Sequence, residues 1–162
     1  DFLILDLPPG TGDIQLTLTQ KIKMTGAIIV TTPQDIALSD VRKGADMFKK
    51  VNTPVLGVIE NMSGLFLSGN TNTPNSTIHI NNEELEIDVN GDFNINIDIF
   101  KKNGGQKESK RLGVPLLGKI PLLKEIMNAT DSGIPIVVSD SNQKTGEVYF
   151  SLADKVSKMI KL

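Results

Sequence analysis

The run LILDLPPGTGD over residues 3–13 constrains the fold of this 162-residue chain more than any other feature of its sequence. Its apolar start predicts a β-strand over residues 2–6, which carries the carboxylate of Asp6 to its carboxyl end. Two prolines stiffen the next step, and two glycines let backbone amides approach a ligand closely. Asp13 then opens a helix, whose unpaired amino-terminal N–H groups favour anions. The run therefore predicts a strand–turn–helix unit with an anion-binding turn.

Such a unit is typical of sites that hydrolyse nucleotides. Asp6 is placed to order the water shell of Mg²⁺, and the N–H of Gly10 is placed to contact the γ-phosphate of ATP. Both are candidate catalytic residues, and Pro9 is a candidate contact to the same nucleotide. The alternative is a plain strand-to-helix turn, in which Asp13 only caps the helix. The eight-residue string over 6–13 favours the phosphate site, because it seldom occurs by chance.

Short apolar strands alternate with amphipathic helices in the first half of the chain, which predicts an α/β fold with a mostly parallel, doubly wound sheet. A helix over residues 13–21 precedes a strand over 27–32, whose nearly continuous apolar character is typical of a strand covered on both faces. Ser39 or Asp40 can cap the next helix, and a strand over 55–59 follows it. One face of that helix carries the apolar residues Val41, Ala45 and Phe48.

Ligands of open α/β sheets bind at the carboxyl ends of the strands. Thr32 and Pro33 follow one predicted strand, and Glu60 and Asn61 follow the next. Thr32, Pro33 and Asn61 are therefore candidate nucleotide contacts. Gln34 contacts a nucleotide or a partner subunit, or it is a solvated turn residue.

Residues 68–104, here termed the Asn-rich segment, differ in composition from the rest of the chain. Asn, Thr and Ser dominate its start, and apolar residues then alternate with acids and Asn. A loop at 90–92 predicts an inserted β-hairpin over residues 84–99, because only this register collects the apolar side chains on one face. The predicted pairs are Val89 with Phe93, Ile87 with Ile95, and Leu85 with Ile97. The alternative is a disordered, Asn-biased insert.

The last third of the chain returns to the α/β pattern. It predicts a helix over residues 105–112, a strand over 115–120 and a final helix over about 143–161. The residues of the final helix expected to face inward are Val148, Leu152, Val156 and either Met159 or Ile160.

The composition excludes several classes of site. The chain contains no Cys, which excludes disulfides and thiolate metal ligands, and its lone His79 is expected to be an exposed strand residue. A net charge of −2 without a basic stripe argues against a nucleic-acid partner. No apolar run approaches the length of a membrane span, so a membrane partner is not expected.

Five blocks of the sequence resemble the Mrp family, which comprises MinD-like P-loop ATPases that act as iron–sulfur cluster carriers or scaffolds. Their order and spacing make the resemblance specific, and it spans the chain except for about residues 65–100. The blocks are DLPPGTGD over 6–13, TTPQD over 31–35, GVIENMS over 57–63, LGVPLLGKIP over 112–121 and DSGIPIV over 131–137.

The resemblance implies roles for several of these residues. Asn61 would contact the adenine ring of ATP, although it could instead bond its own backbone to close the loop. Pro121 and Leu122 would help to enclose the adenine. The family places an acid two residues beyond that proline, where this chain has Leu123.

Two departures from the family pattern qualify this picture. No Gly-Lys-Ser/Thr Walker A loop occurs, so we expect the chain to be the C-terminal part of a longer ATPase, with a sheet incomplete at its N-terminal side. The positions of the family's CxxC motif hold Leu67 and Asn70, neither of which replaces a thiolate on iron. An iron–sulfur cluster at the family's usual site is therefore not expected.

The function that the resemblance implies is ATP binding and hydrolysis in iron–sulfur cluster assembly or transfer. It further implies a homodimer, iron–sulfur apoproteins or assembly factors as partners, and a soluble protein of the cytoplasm or of an organelle interior. Two alternatives stay open: a MinD/ParA-type positioning ATPase, and a catalytically degenerate nucleotide-binding scaffold.

Overall fold

The computed structural model describes residues 2–8, 12–80, 83–138 and 143–160. Its main sheet is built around one long strand, β2 (Val55–Asn70). Strands β1 (Ala27–Thr31) and β6 (Leu116–Leu122) pair with the first part of β2 in parallel. Strand β5 (Asp92–Ile97) pairs with the last part of β2 in antiparallel fashion. The predicted α/β fold with a mostly parallel sheet is confirmed.

Helices pack on both faces of this sheet, since alternate residues of each strand point to opposite sides and supply apolar side chains to both. On one face, Ala45 and Phe48 of α2 (Asp35–Lys50) pack in a cluster with Val58, and Leu112 of α3 (Gly104–Leu112) borders it. On the other face, Leu152 of α5 (Gln143–Ile160) packs against Leu117 and Ile120 of β6. The doubly wound arrangement is thereby confirmed for the described residues.

The remaining elements connect these layers. Helix α1 (Asp13–Lys21) precedes β1, and a small antiparallel pair, β3 (Thr77–Ile80) with β4 (Glu83–Glu86), lies between β2 and β5 along the chain. Helix α4 (Lys124–Ser132) and a 3₁₀ turn follow β6. None of the described helices has the length and apolarity that crossing a bilayer requires.

The helix predictions are largely confirmed. Helices α1, α3 and α5 begin and end within a residue of their predicted bounds, and the inward face of α5 holds Val148, Leu152 and Val156. Helix α2 is the exception, because it begins at Asp35 and not after Ser39 or Asp40. The carboxylate of Asp35 suits the positive end of the helix dipole, and the extra turn buries Leu38.

The predicted strand over residues 2–6 is wrong. Residues 2–8 form no regular structure, and the side chains of Leu3 and Ile4 are 83% and 88% exposed. A strand is stable only where its N–H and C=O groups find a neighbouring strand, and no described strand pairs with this segment. The predicted burial of β1 on both faces is also wrong, because Ile28 and Val30 are exposed.

The predicted hairpin over 84–99 is wrong as well. Strand β4 pairs with β3, and β5 pairs with β2, so that Ile95 faces Leu67 and Leu85 faces Ile78. Between β4 and β5 the chain makes a tight turn, in which the N–H of Asp88 donates to the carbonyl of Asp92 at 3.0 Å. The hairpin was predicted from a local register, whereas β2 continues to Asn70 and offers β5 a longer partner.

Candidate functional site

A cavity of about 510 Å³ lies at the carboxyl ends of β1 and β6, beside the middle of β2. Its volume falls in the range of about 300–1,000 Å³ typical of small-molecule pockets. The residues that line it from the main sheet and its loops are Pro33, Glu60, Ser63, Gly64, Phe66, Lys119 and Pro121. The Asn-rich segment contributes Asn96, Asp98, Phe100, Lys101, Lys102 and Asn103.

The carboxylate of Glu60 is buried at this cavity and has three polar partners. Glu60 is 1% exposed, and its Oε2 accepts the backbone N–H of Gly105 at 2.6 Å. Its Oε1 accepts the hydroxyl of Ser63 at 2.7 Å and lies 3.4 Å from Nζ of Lys119. A buried charge is tolerated only with such partners, and here Gly105, Ser63 and Lys119 supply them.

Two glycines at the start of α3 make this arrangement possible. A Cβ on Gly105 would lie 2.8 Å from Cβ of Glu60, and a Cβ on Gly104 would lie 2.5 Å from the carbonyl oxygen of Pro33. Any side chain there would push the helix away from the sheet. No local pattern in the sequence indicates this role of Glu60, because its partner Gly105 lies 45 positions away.

Lysines give the cavity wall its remaining charge. Lys119 donates to Oδ1 of Asn103 at 2.7 Å, and Lys102 lies 2.5 Å from the carboxylate of Asp98. Lys101 pairs with Asp35 at the start of α2, and this hydrogen bond and charge lower the pKa of the Asp35 carboxyl. The positive charges on the wall are thus largely balanced, which suits a polar ligand of low charge at this end of the site.

The structure brings some of the predicted contacts together and separates others. Pro33 and Pro121 both line the cavity. Thr32 lies next to Pro33, and its Oγ1 is buried without a hydrogen-bond partner among the described residues. Leu122 ends β6 and is half-buried. Asp6 is exposed within the irregular segment, while Pro9 and Gly10 lie outside the described residues.

Asn61 does not end a strand as predicted. Strand β2 continues through it, and two residues with positive φ, Met62 at 53° and Gly64 at 93°, distort the strand just beyond. The Oδ1 of Asn61 accepts the N–H of Met62 at 2.9 Å. This bond to its own loop is the alternative that the sequence left open, and among the described residues that line the cavity Asn61 does not appear.

The positions that correspond to the family's CxxC motif do not fit an iron–sulfur cluster. Leu67 and Asn70 lie in the ladder with β5, opposite Ile95 and Asp92. Residues three apart in a strand point to opposite faces, so their side chains diverge. Asn70 instead donates to the carboxylate of Asp92 at 2.7 Å.

No other metal site is visible in the described part of the chain. It contains no group of three or more His, Cys, Asp or Glu residues that could hold a metal ion. His79 is an exposed residue of β3, as expected, with Nδ1 3.9 Å from a carboxylate oxygen of Glu84.

Comparison with known proteins identifies relatives over nearly the whole chain. The chain is 42% identical over 153 residues to an iron–sulfur cluster carrier protein of Pseudomonas fragi, and the match covers 94% of this chain and 45% of the relative. It is 38% identical over 161 residues to an Arabidopsis thaliana protein named as a mitochondrial iron–sulfur protein required for NADH dehydrogenase, covering 99% of the chain and 44% of that protein. The chain thus spans less than half the length of these relatives.

Solved structures support the same fold. The cell division ATPase MinD of Pyrococcus furiosus matches with a TM-score of 0.54 at 22% identity, covering 83% of this chain and 43% of that one. A nucleotide-binding protein of Archaeoglobus fulgidus, solved in complex with ADP, matches with a TM-score of 0.53 at 28% identity over 78% of this chain and 43% of that one.

A family model described as ParA, the NUBPL iron-transfer P-loop NTPase, matches residues 1–86 and 83–157. These matches take in both the sheet that builds the cavity and the motif that precedes α1. The resemblance to MinD-like iron–sulfur carriers is therefore confirmed, and the chain belongs to the NUBPL iron-transfer family of ParA-type P-loop NTPases.

Proposed function

We propose that this chain is the part of an ATP-hydrolysing iron–sulfur cluster carrier that holds the nucleoside end of ATP. The observation that carries the proposal is the cavity at the carboxyl edge of the sheet, with Pro33 and Pro121 on its wall, in a chain of this family. Ligands of open α/β sheets bind at that edge. Thr32, Asn61 and Leu122 border the same edge and belong to the proposed nucleotide site.

The phosphate end of ATP is assigned to the segment before α1. In this proposal Asp6 holds Mg²⁺ through water, Gly10 contacts the γ-phosphate, and Pro9 is a further contact to the nucleotide. The exposed carboxylate of Asp6 is the hard oxygen donor that Mg²⁺ prefers. Mg²⁺ would supply neutralisation of the charge that develops on the phosphoryl oxygens.

The cargo and partners follow from the names of the relatives. We propose that the full protein carries an iron–sulfur cluster to apoproteins or assembly factors and acts as a homodimer. Since Leu67 and Asn70 cannot ligate iron, the cluster would be bound by groups outside these positions. We place the protein in the cytoplasm or an organelle interior, because the relatives named above are from a bacterium and from a mitochondrion.

The test is calorimetric titration of Mg·ATP into this chain and into the longest natural polypeptide that contains it. We expect micromolar binding to the latter and hydrolysis that falls at least tenfold in Asp6→Asn, because the Mg²⁺ shell loses its carboxylate. Asp40→Asn is the control, since Asp40 is exposed and its carboxylate pairs with Lys43 on the same helix. Binding without hydrolysis would instead support the degenerate scaffold, and absence of binding in both polypeptides would overturn the proposed nucleotide site.

A further inference from the structure

The Asn-rich segment forms a large part of the cavity wall. Six of its residues line the cavity, and they approach from β5 and from the loop that follows it. The same cavity is lined by Pro33 and Pro121. A ligand held at the sheet edge would therefore touch this segment directly.

The chemistry of this wall suits a flat heterocycle. Phe100 is half-buried and lines the cavity, and an aromatic ring there offers a face on which a base can stack. The carboxamide of Asn96 offers one donor and one acceptor, the combination that pairs with the edge of adenine. Guanine presents acceptors where adenine presents a donor, so an Asn side chain can distinguish the two bases.

The position of Asn96 is fixed by the distorted part of β2. Asn96 lies opposite Phe66 in the β2–β5 ladder. A Cβ on Gly64 would lie 2.3 Å from Oδ1 of Asn96, and the φ of 93° at Gly64 also disfavours any other residue. The missing side chain at Gly64 thus leaves room for the carboxamide of Asn96 at the edge of the cavity.

The other amides near the cavity are engaged elsewhere. The Oδ1 of Asn61 accepts the N–H of Met62, and Oδ1 of Asn103 accepts a hydrogen bond from Lys119. Each of these two oxygens thus already accepts one hydrogen bond within the protein, which leaves it less free to accept another from the amino group of adenine. Asn96 is the remaining amide on the cavity wall among the described residues.

We infer that Asn96 and Phe100 of the Asn-rich segment form the base-recognition wall of the cavity, with Asn96 setting the preference for adenine over guanine. This inference rests on the proposed function, and it assigns base specificity to a segment outside the shared family motifs.

The experiment measures dissociation constants of Mg·ATP, Mg·GTP and Mg·tripolyphosphate for the longest natural polypeptide containing the chain. Asn96→Ala should lower the ATP-over-GTP preference about tenfold, and Asn96→Asp should do the same while keeping the shape of the side chain. Phe100→Ala should weaken both nucleotides about tenfold. Tripolyphosphate binding should not change in any variant, because it has no base.

Asn94→Ala is the matched control. Asn94 lies on β5 two residues before Asn96 and is likewise exposed, but it pairs with Ser68 beyond the end of the cavity. It should leave all three dissociation constants unchanged. Thermal melts of each variant separate loss of recognition from loss of fold.

The outcomes are distinct. If the wild type binds neither nucleotide, the proposed function fails and this inference fails with it. If the wild type binds ATP but Asn96→Ala and Asn96→Asp keep its ATP-over-GTP preference, only this inference is overturned. A loss of preference in Asn61→Ala without one in the Asn96 variants would assign base recognition to Asn61 and overturn it too.

Discussion

Glu60 fixes the geometry of the sheet edge at the level of a single residue. Its carboxylate connects three parts of the chain: the distorted part of β2 through Ser63, the start of α3 through Gly105, and β6 through Lys119. Each partner faces the cavity or borders it. The position of the cavity wall therefore depends on one charge that is buried to 99%.

Glu60→Gln should destabilise the fold by about 1–3 kcal/mol, because a neutral amide loses the attraction of Lys119 and presents one donor where two acceptors are needed. The free energy of unfolding from urea titration is the measurement. Glu125→Gln is the control, since Glu125 is exposed in the first turn of α4, and it should stay within about 0.5 kcal/mol of the wild type. Equal stability of the two variants would contradict the buried network.

Tyr149 provides a pH-dependent reporter of core packing. Burial raises the pKa of its phenol, because the charged tyrosinate is poorly solvated there. The unfolded chain therefore releases this proton at lower pH than the folded protein does. This difference has no effect on stability below the ordinary pKa of Tyr. As the pH rises above that pKa, it lowers the free energy of unfolding.

The titration of Tyr149 can be followed by absorbance without interference, since the chain contains one Tyr and no Trp. Near-ultraviolet absorbance should give a tyrosinate midpoint above about 10 in the native protein, and a midpoint near 10 in concentrated urea. Tyr149→Phe should remove the signal and flatten the alkaline loss of stability. Identical midpoints in the two solvents would show that the phenol of Tyr149 is not buried in the native protein.

At the level of elements, α2 carries a glycine without a structural reason for it. A Cβ on Gly44, in the interior of this 16-residue helix, would meet nothing within 4 Å. Gly44→Ala should therefore stabilise the protein by about 0.5–1 kcal/mol, through the lower entropy of the unfolded chain. Urea titration measures this change.

Gly57 is the matched contrast for Gly44. A Cβ at Gly57 in β2 would lie 2.8 Å from the carbonyl oxygen of Pro115 and 2.6 Å from the side chain of Leu117. Gly57→Ala should destabilise by about 1–3 kcal/mol through overpacking. The same sign of change in both variants would contradict the packing described for β2.

The same elements show which features a sequence can predict. The bounds of α1 and α5 depend on residues within and next to each helix, so the sequence predicts them. Strand pairing depends on partners far along the chain, so the predicted strand over 2–6 and the hairpin over 84–99 were wrong. The positions of Pro33 and Pro121 follow from motifs, whereas the bond from Gly105 to Glu60 has no local signal.

At the level of the whole molecule, the two faces of the sheet are unequally covered. Helices α2 and α3 cover the face that holds Ala27, Ile29 and Val58. On the other face, Val30 lies beside Ile59 in register, and Ile59 packs in the α5 cluster. Yet Val30 is 55% exposed and its neighbour on the same face, Ile28, is 37% exposed.

This uncovered face predicts self-association of the isolated chain. One edge of β1 has no paired strand among the described residues, and an open edge beside exposed apolar side chains favours pairing between copies. Sedimentation velocity over a dilution series should show oligomers that dissociate slowly.

Val30→Lys should shift the population toward monomer without loss of fold, because Val30 is exposed and a charge next to the open edge disfavours pairing between copies. Ile36→Lys is the control, since Ile36 is 76% exposed on α2, the helix that covers the opposite face of the sheet. A wild-type monomer that is stable to concentration would show that exposed Ile28 and Val30 do not suffice to drive association.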